Sequence, residues 1–167
     1  MVSVLAAAVA YLVISEADTN SSTADLPNVF VARDTTQPIV PSDGEITQIV
    51  TLALEPGKYL VSGKVGFHNR DPQYASKMEC WLTPSAPDGT IGDPDAPESD
   101  YAVLNLTAFD EPGDQGQSVL FATFELAVSR SVELSCRGPE TPSQLGAFTH
   151  FAWVSAIQVE SITTEFE

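Results

Sequence analysis

Twenty-three acidic residues against seven basic ones give this 167-residue chain a formal net charge of −16. That balance argues against nucleic acid as a partner, because phosphate binding requires a basic surface from which counterions are released. The length suits one domain with a hydrophobic core, since a domain of about 150 residues buries roughly two thirds of its unfolded surface.

The chain begins with an apolar segment, Met1 to Ile14, and no Lys or Arg occurs before Arg33. An export signal needs a basic start and an apolar run of about 7 to 15 residues, and only the second feature is present. The run is also shorter than the roughly 20 residues of a membrane span. An export segment and an assembly segment that packs as a helix or a buried strand therefore both stay open.

The polar stretch over residues 15–28 is typical of a linker, because it combines small polar residues with a terminal Pro-Asn pair. The sequence therefore predicts an apolar N-terminal segment with its linker over residues 1–27 and one β-sandwich domain over residues 28–167.

After residue 28 apolar residues recur with a period of two, and clusters of Pro, Gly and Asp separate the runs. The strongest run is Lys58 to His68, in which the odd positions from Tyr59 to Phe67 share one face of a strand. Glu55, Pro56 and Gly57 precede this run and predict a turn whose glycine can take a positive φ.

Other runs follow the same alternation, with Lys77, Glu79, Glu133 and Arg137 expected to point away from the core. With Val29 to Arg33 as the first strand, about eight strands result, and they predict an all-β, antiparallel, two-sheet sandwich of the jelly-roll kind. The inward sets are Val50, Leu52 and Leu54; Met78, Cys80 and Leu82; Leu104, Leu106 and Ala108; Leu120, Ala122, Phe124, Leu126 and Val128; and Val132, Leu134 and Cys136, while the last segment carries Trp153, Ile157 and Val159 at alternate positions.

The stretch from Ile46 to Asn69 resembles tumour-necrosis-factor/C1q-like jelly rolls, in which an apolar strand runs through a Pro-Gly turn into an alternating strand that starts with an aromatic residue. The segments MECWLT and VELSCRG, with the closing strand FAWVSAIQVESI, also resemble segments of small secreted bacterial β-sandwich proteins of unknown function. The first resemblance implies a homotrimer built on aromatic contacts, and it brings no catalytic residues. The residues that match it are Leu54, Pro56, Gly57, Tyr59, Val61 and Val65.

The two cysteines, Cys80 and Cys136, could be in one of three states: a disulfide, a pair of buried thiols, or metal ligands. Zinc is disfavoured, because there is no Cys-x-x-Cys spacing and no histidine beside either residue. In an oxidising compartment the disulfide is favoured, and we predict that bond.

The region between Pro84 and Asp100 is rich in proline and acid and predicts a long exposed loop. Acidic loops are usually only solvated, so we expect neither a metal nor any other cofactor. If calcium binds, which requires six to eight oxygen ligands, the candidate ligands are Asp88, Asp93, Asp95, Glu98 and Asp100.

No motif in the sequence specifies a reaction, and we predict no catalytic residue. His68 and His150 are interpreted as surface histidines, because no Gly-x-Ser-x-Gly elbow accompanies them. Glu125 and Glu133, on consecutive predicted strands, are the carboxylate pair that a polysaccharide hydrolase would use, and we interpret them as solvent-face charges.

Phe121 is left on the outer side of its strand when Leu120 and Phe124 face the core. Together with Phe151 and Trp153 it is the predicted interface of a homo-oligomer, in particular a trimer. The alternatives are that a loop of the same chain covers Phe121, and that Phe151 and Trp153 pack in the core or contact a carbohydrate or protein.

These features predict a secreted or surface-displayed binding or structural module that catalyses no reaction and lies outside the cell or on its surface. A surface protein or a glycan is its further candidate partner. The alternative is a filament, capsid or tail-fibre subunit that uses its apolar N-terminus for assembly. A hydrolase that acts on polysaccharide is the third hypothesis.

Overall fold

The computed structural model describes residues 27–162 except 42, 72, 87, 94, 96–98, 109–114 and 141–145. Within this part the chain forms nine strands and no helix, which confirms the all-β prediction, and it accordingly contains no helix long and apolar enough to span a membrane. The segment from Met1 to Ile14 lies outside the described residues. The strands are β1 (Val29–Asp34), β2 (Ile39–Val40), β3 (Ile46–Leu54), β4 (Gly57–Asn69), β5 (Ser76–Pro84), β6 (Asp100–Leu106), β7 (Gln115–Leu126), β8 (Arg130–Arg137) and β9 (Ala147–Val159).

The strands form two antiparallel sheets that enclose one core. The first sheet has the order β1-β9-β4-β7, with the short β2 paired to β9, and the second sheet has the order β3-β8-β5-β6. If β2 is set aside, the first strand pairs with the last, and the pairing continues inward as β3 with β8, β4 with β7 and β5 with β6. Eight strands wound in this way are the jelly roll, a double-sheet sandwich made of two Greek keys.

The residues that the predicted period of two assigns to the inner face of β4 are the ones that fill the core. On the central strand β4, Tyr59, Val61, Val65 and Phe67 are all buried, as the alternation requires. The removal of such side chains from water, worth about 25 cal/mol per Å² of apolar surface, is what holds the two sheets together. The second sheet contributes the buried residues Val50, Leu52, Leu54, Met78, Leu82, Leu104, Leu106, Val132 and Leu134.

The turn between β3 and β4 is tied to the first aromatic residue of the core. The hydroxyl of Tyr59 donates a hydrogen bond of 3.0 Å to the carbonyl oxygen of Glu55. Gly57 does not use the positive φ that a glycine in this turn could take. A Cβ atom at Gly57 would lie 3.1 Å from the Tyr59 hydroxyl, so the close approach of that ring accounts for the glycine.

Val128 corrects one of the predicted inward positions, because it is exposed rather than buried. Strand β7 ends at Leu126, so Val128 lies in the turn before β8 and no longer follows the alternation of the strand.

On β9 the core is contacted by the small residues Ala152, Val154 and Ala156. The larger side chains at the alternate positions, among them Trp153 and Ile157, therefore lie on the opposite side of the first sheet. The indole ring of Trp153 therefore lies on the side of the first sheet that faces away from the core.

Candidate assembly surface

Three cross-strand rows cover the side of the first sheet that is turned away from the core. In the middle row, Phe121 of β7 pairs with Ser62 of β4, Ser62 pairs with Ser155 of β9, and Ser155 pairs with Val31 of β1. Directly paired residues of antiparallel strands point to the same side of a sheet. These side chains therefore share one surface, and the two serine hydroxyl oxygens lie 2.9 Å apart at its centre.

The rows on either side follow the same pairing. The three rows together are called the outer face below. One flanking row consists of Thr123, Leu60, Ile157 and Val29, and the other consists of Val119, Lys64, Trp153 and Arg33.

Most apolar side chains of the outer face are open to solvent. Phe121 is 69% exposed, Val29 57% and Leu60 47%. Half of the large apolar side chains that are exposed in the described part of the chain belong to this face. Single exposed apolar residues are ordinary, but a contiguous patch is typical of an interaction site.

All three residues of the predicted interface lie on this side of the first sheet. Phe121 and Trp153 belong to the outer face, and Phe151 lies in the next row, where it pairs with Gly66. The ring of Phe151 covers the position that a side chain at Gly66 would occupy. The Lys64 ammonium lies 5.2 Å from the centre of that ring, within the range of a cation–π interaction.

The sequence did not single out Val29, Val31, Leu60 or Val119 for this surface. Strand β1 carries apolar residues on both of its faces, so its alternation does not say which face is solvent-exposed. For Leu60 a signal existed, because an even position in β4 faces away from the buried odd positions.

His68 and His150 lie on the first sheet close to the outer face. The His68 ring packs on Phe148 with 5.2 Å between ring centres, and the His150 ring packs on Phe151 with 4.7 Å. Burial lowers the pKa of His150, and the nearby His68 lowers it further. Both histidine rings therefore pack against phenylalanine rings.

Cys80 of β5 and Cys136 of β8 are direct cross-strand partners in the second sheet, and their sulfurs form the predicted disulfide. Both side chains are buried on the core side. The bond joins residues 56 positions apart in the sequence, so it cross-links two strands that are distant in the sequence.

The described carboxylates of the acidic loop between β5 and β6 are not gathered into one site. Asp88 accepts two hydrogen bonds from Thr90, and Asp100 accepts one from the backbone N–H of Phe121. Among the described residues no group of three or more His, Cys, Asp or Glu side chains is placed to hold a metal ion. The carboxylate of Asp93 accepts a hydrogen bond from the backbone N–H of Asp95. The remaining calcium candidate, Glu98, lies outside the described residues.

Glu133 is buried, with 2% of its surface exposed, and is not the solvent-face charge that was predicted. It lies beneath the loop between β5 and β6, where the Gly92 N–H donates to its carboxylate at 3.3 Å. Burial raises the pKa of Glu133. Glu125 is exposed on the first sheet, 3.7 Å from the Lys58 ammonium. Because β7 and β8 belong to different sheets, these two carboxylates do not form a pair.

A polar cluster covers Trp81 on the outer side of the second sheet. Trp81 is 4% exposed, with the Arg137 guanidinium 5.0 Å and the Tyr101 ring 5.6 Å from its ring. Glu79 accepts a hydrogen bond from Lys77 at 2.6 Å and another from Arg137 at 2.7 Å. These two cations, Lys77 first, lower the pKa of Glu79 to about 2. The sequence predicted that Glu79 points outward, but not that Arg137 links it to Trp81.

No protein-family model and no curated protein matches this chain. The chain is similar in fold to solved structures of infectious bursal disease virus. The T13 viral particle matches at a TM-score of 0.53 with 11% identity, over 87% of this chain and 36% of the viral chain. The Gx strain matches at a TM-score of 0.51 with 10% identity, over 90% of this chain and 38% of the viral chain.

This chain thus spans little more than a third of the length of the viral chains that it matches. At such low identity the likeness concerns the fold, and it agrees with the jelly-roll winding of the strands. The resemblance to tumour-necrosis-factor/C1q-like proteins and to secreted bacterial proteins stays a prediction.

Proposed function

We propose that this chain is a structural subunit that assembles with further copies of itself into a particle or filament, and that the outer face lies between the copies. The observation that carries the proposal is that six exposed large apolar side chains lie together on one sheet of a jelly roll. The similar viral structures support it, because one of them is described as a particle of an icosahedral virus.

The physical reason for assembly is the exposed apolar area. The outer face contains the exposed side chains of Phe121, Leu60 and Val31, and their burial is worth about 25 cal/mol for each Å² of apolar surface that a second molecule covers. The net charge of −16 opposes any contact between copies. Contact is therefore favoured where apolar side chains are many and carboxylates few, and the outer face meets both conditions.

The proposal assigns no reaction to the domain and needs no cofactor. In it the segment from Met1 to Ile14 takes part in contacts between copies, and the assembly acts outside the cell or at its surface.

Light scattering of the purified full chain over a wide concentration range tests the proposal. We expect a mass several times the 17.8 kDa of one chain, and negative-stain electron microscopy should show discrete rings, particles or filaments. A mass of 17.8 kDa at every concentration would contradict assembly and would favour the alternative, a monomeric binding module.

A further inference from the structure

The outer face has a charge opposite to that of the rest of the chain. Arg33 and Lys64 belong to its rows, and Lys58 continues the Leu60 strand beside it, so three of the seven basic residues lie here. The carboxylate of Glu125 lies 3.7 Å from the Lys58 ammonium, and the carboxylate of Asp100 accepts a hydrogen bond from the backbone N–H of Phe121 at the edge of β7. Three cations and two acids thus lie on or beside the described part of the outer face. The outer face is thus both apolar and positively charged on a strongly acidic protein.

The exposed acids of the described residues lie mainly in the connections at the two ends of the sandwich. They are not on the central part of either sheet, so a second copy presents carboxylates at its ends rather than on its faces. The exposed acids in these connections are Asp43, Glu45, Glu55, Asp88, Asp93, Asp95, Glu140 and Glu160, and Glu125, next to the last residue of β7, is the exposed acid within a strand of the described part.

From this distribution we infer that the outer face docks against an acidic end of a second copy of the same chain, in a head-to-tail contact. The inference rests on the proposed function and adds to it the partner surface and the symmetry. A face-to-face contact would bring Arg33, Lys58 and Lys64 of both copies together, and like charges placed opposite each other disfavour association. A face-to-end contact pairs the same cations with carboxylates.

The dimensions of the outer face point the same way. Four strands about 4.8 Å apart and three rows about 7 Å apart cover roughly 400 Å², which is about half of the 800 Å² that each partner gives to a standard interface. Docking must therefore extend past the apolar rows onto their rim. Lys58 lies on this rim and Arg33 at one corner of the outer face, so a contact that reaches the rim also brings both cations close to the second copy.

A head-to-tail contact has a consequence for the assembly. Each copy uses one surface to receive and a different surface to donate, so copies add in sequence. The series closes into a ring, of which a trimer is the smallest common case, or continues as a filament.

The test mixes the wild-type full chain with a face-impaired full chain that carries Phe121→Ser and Lys64→Glu. The variant keeps its acidic ends, so in a head-to-tail contact it still docks on wild-type faces but receives nothing itself. We expect the variant alone to associate at least tenfold more weakly than wild type. In excess it should convert wild-type assemblies into complexes of two chains, measured by sedimentation velocity with one chain fluorescently labelled.

A matched control carries Arg70→Glu and Val103→Ser, which make the same charge change and remove an exposed apolar side chain away from the outer face. It should assemble as wild type does. Exclusion of the face-impaired chain from wild-type assemblies would indicate a face-to-face contact and overturn the inference, and so would equal disruption by the control. Assembly of the face-impaired chain at wild-type affinity would also overturn it, together with the placement of the outer face between copies, while leaving self-assembly itself intact. A monomeric wild type would instead contradict the proposed function itself.

Discussion

Substitution of Phe121 is the most informative test of the outer face, because Phe121 is 69% exposed in the single chain. A second phenylalanine on the same strand provides a matched control. Phe124, three positions along β7, points to the core and is 2% exposed. Substitution of either residue by alanine removes the same atoms. The two variants should therefore affect different equilibria, assembly for Phe121 and folding for Phe124.

The expected magnitude follows from the exposed area. A phenylalanine that presents 69% of roughly 200 Å² offers about 140 Å², worth about 3.5 kcal/mol if a second copy covers all of it and about 1.7 kcal/mol if it covers half. Phe121→Ala should thus weaken association by about 20-fold to 400-fold. It should change the free energy of unfolding by less than about 1 kcal/mol, because its strand is at the edge of the sheet. Phe124→Ala should cost about 3–5 kcal/mol of folding stability.

The assay pairs sedimentation equilibrium, which gives the association constant, with urea unfolding at a concentration where the chain is monomeric. The reasoning is wrong if Phe121→Ala destabilises the monomer as much as Phe124→Ala does, since Phe121 would then be covered within its own chain. It is also wrong if Phe121→Ala leaves the association constant unchanged.

The remaining predictions concern stability. Substitution of both Cys80 and Cys136 by alanine should lower the free energy of unfolding by up to about 4 kcal/mol, the chain-entropy value for a closed loop of this size, and urea unfolding with and without reductant measures it. Glu79→Gln should cost about 1 kcal/mol at pH 7, since its partners are partly exposed. Because the folded pKa of Glu79 is lowered from 4.5 to about 2, that loss should fade as the pH falls through this window, and a constant loss down to pH 2 would contradict the pairing. Burial raises the pKa of Glu133, so its ionisation weakens the fold as pH rises above 4.5, and Glu133→Gln should raise the unfolding temperature at pH 7 more than at pH 4. An equal effect at both pH values would count against that explanation.

The local part of the fold was predictable, because the alternation from Tyr59 to Phe67 depends only on which side of a strand meets the core. The sheet to which each strand belongs was not. Consecutive strands β7 and β8 lie in different sheets, and this separates Glu125 from Glu133. Strand neighbours in a jelly roll are distant in sequence, so a local period carries no information about them.

The composition of the outer face was predictable to a similar extent. Phe121 could be assigned to the outside from its own strand, whereas Val31 and Leu60 join it only through the register of β1, β9 and β4. The burial of Glu133 depends on Gly92, which is 41 positions earlier in the chain, and no local pattern shows that the loop folds over it.

Tryptophan fluorescence provides the most direct measurement of whether the outer face is covered between copies. The chain has two tryptophans, of which Trp81 is buried and Trp153 lies half-buried on the outer face. In dilute, monomeric protein acrylamide should quench the emission of Trp153 and spare that of Trp81. If the outer face is covered between copies, this accessible part of the emission should become protected as the chains assemble. Quenching that stays the same in monomer and assembly would contradict it, because the outer face would then remain open to solvent.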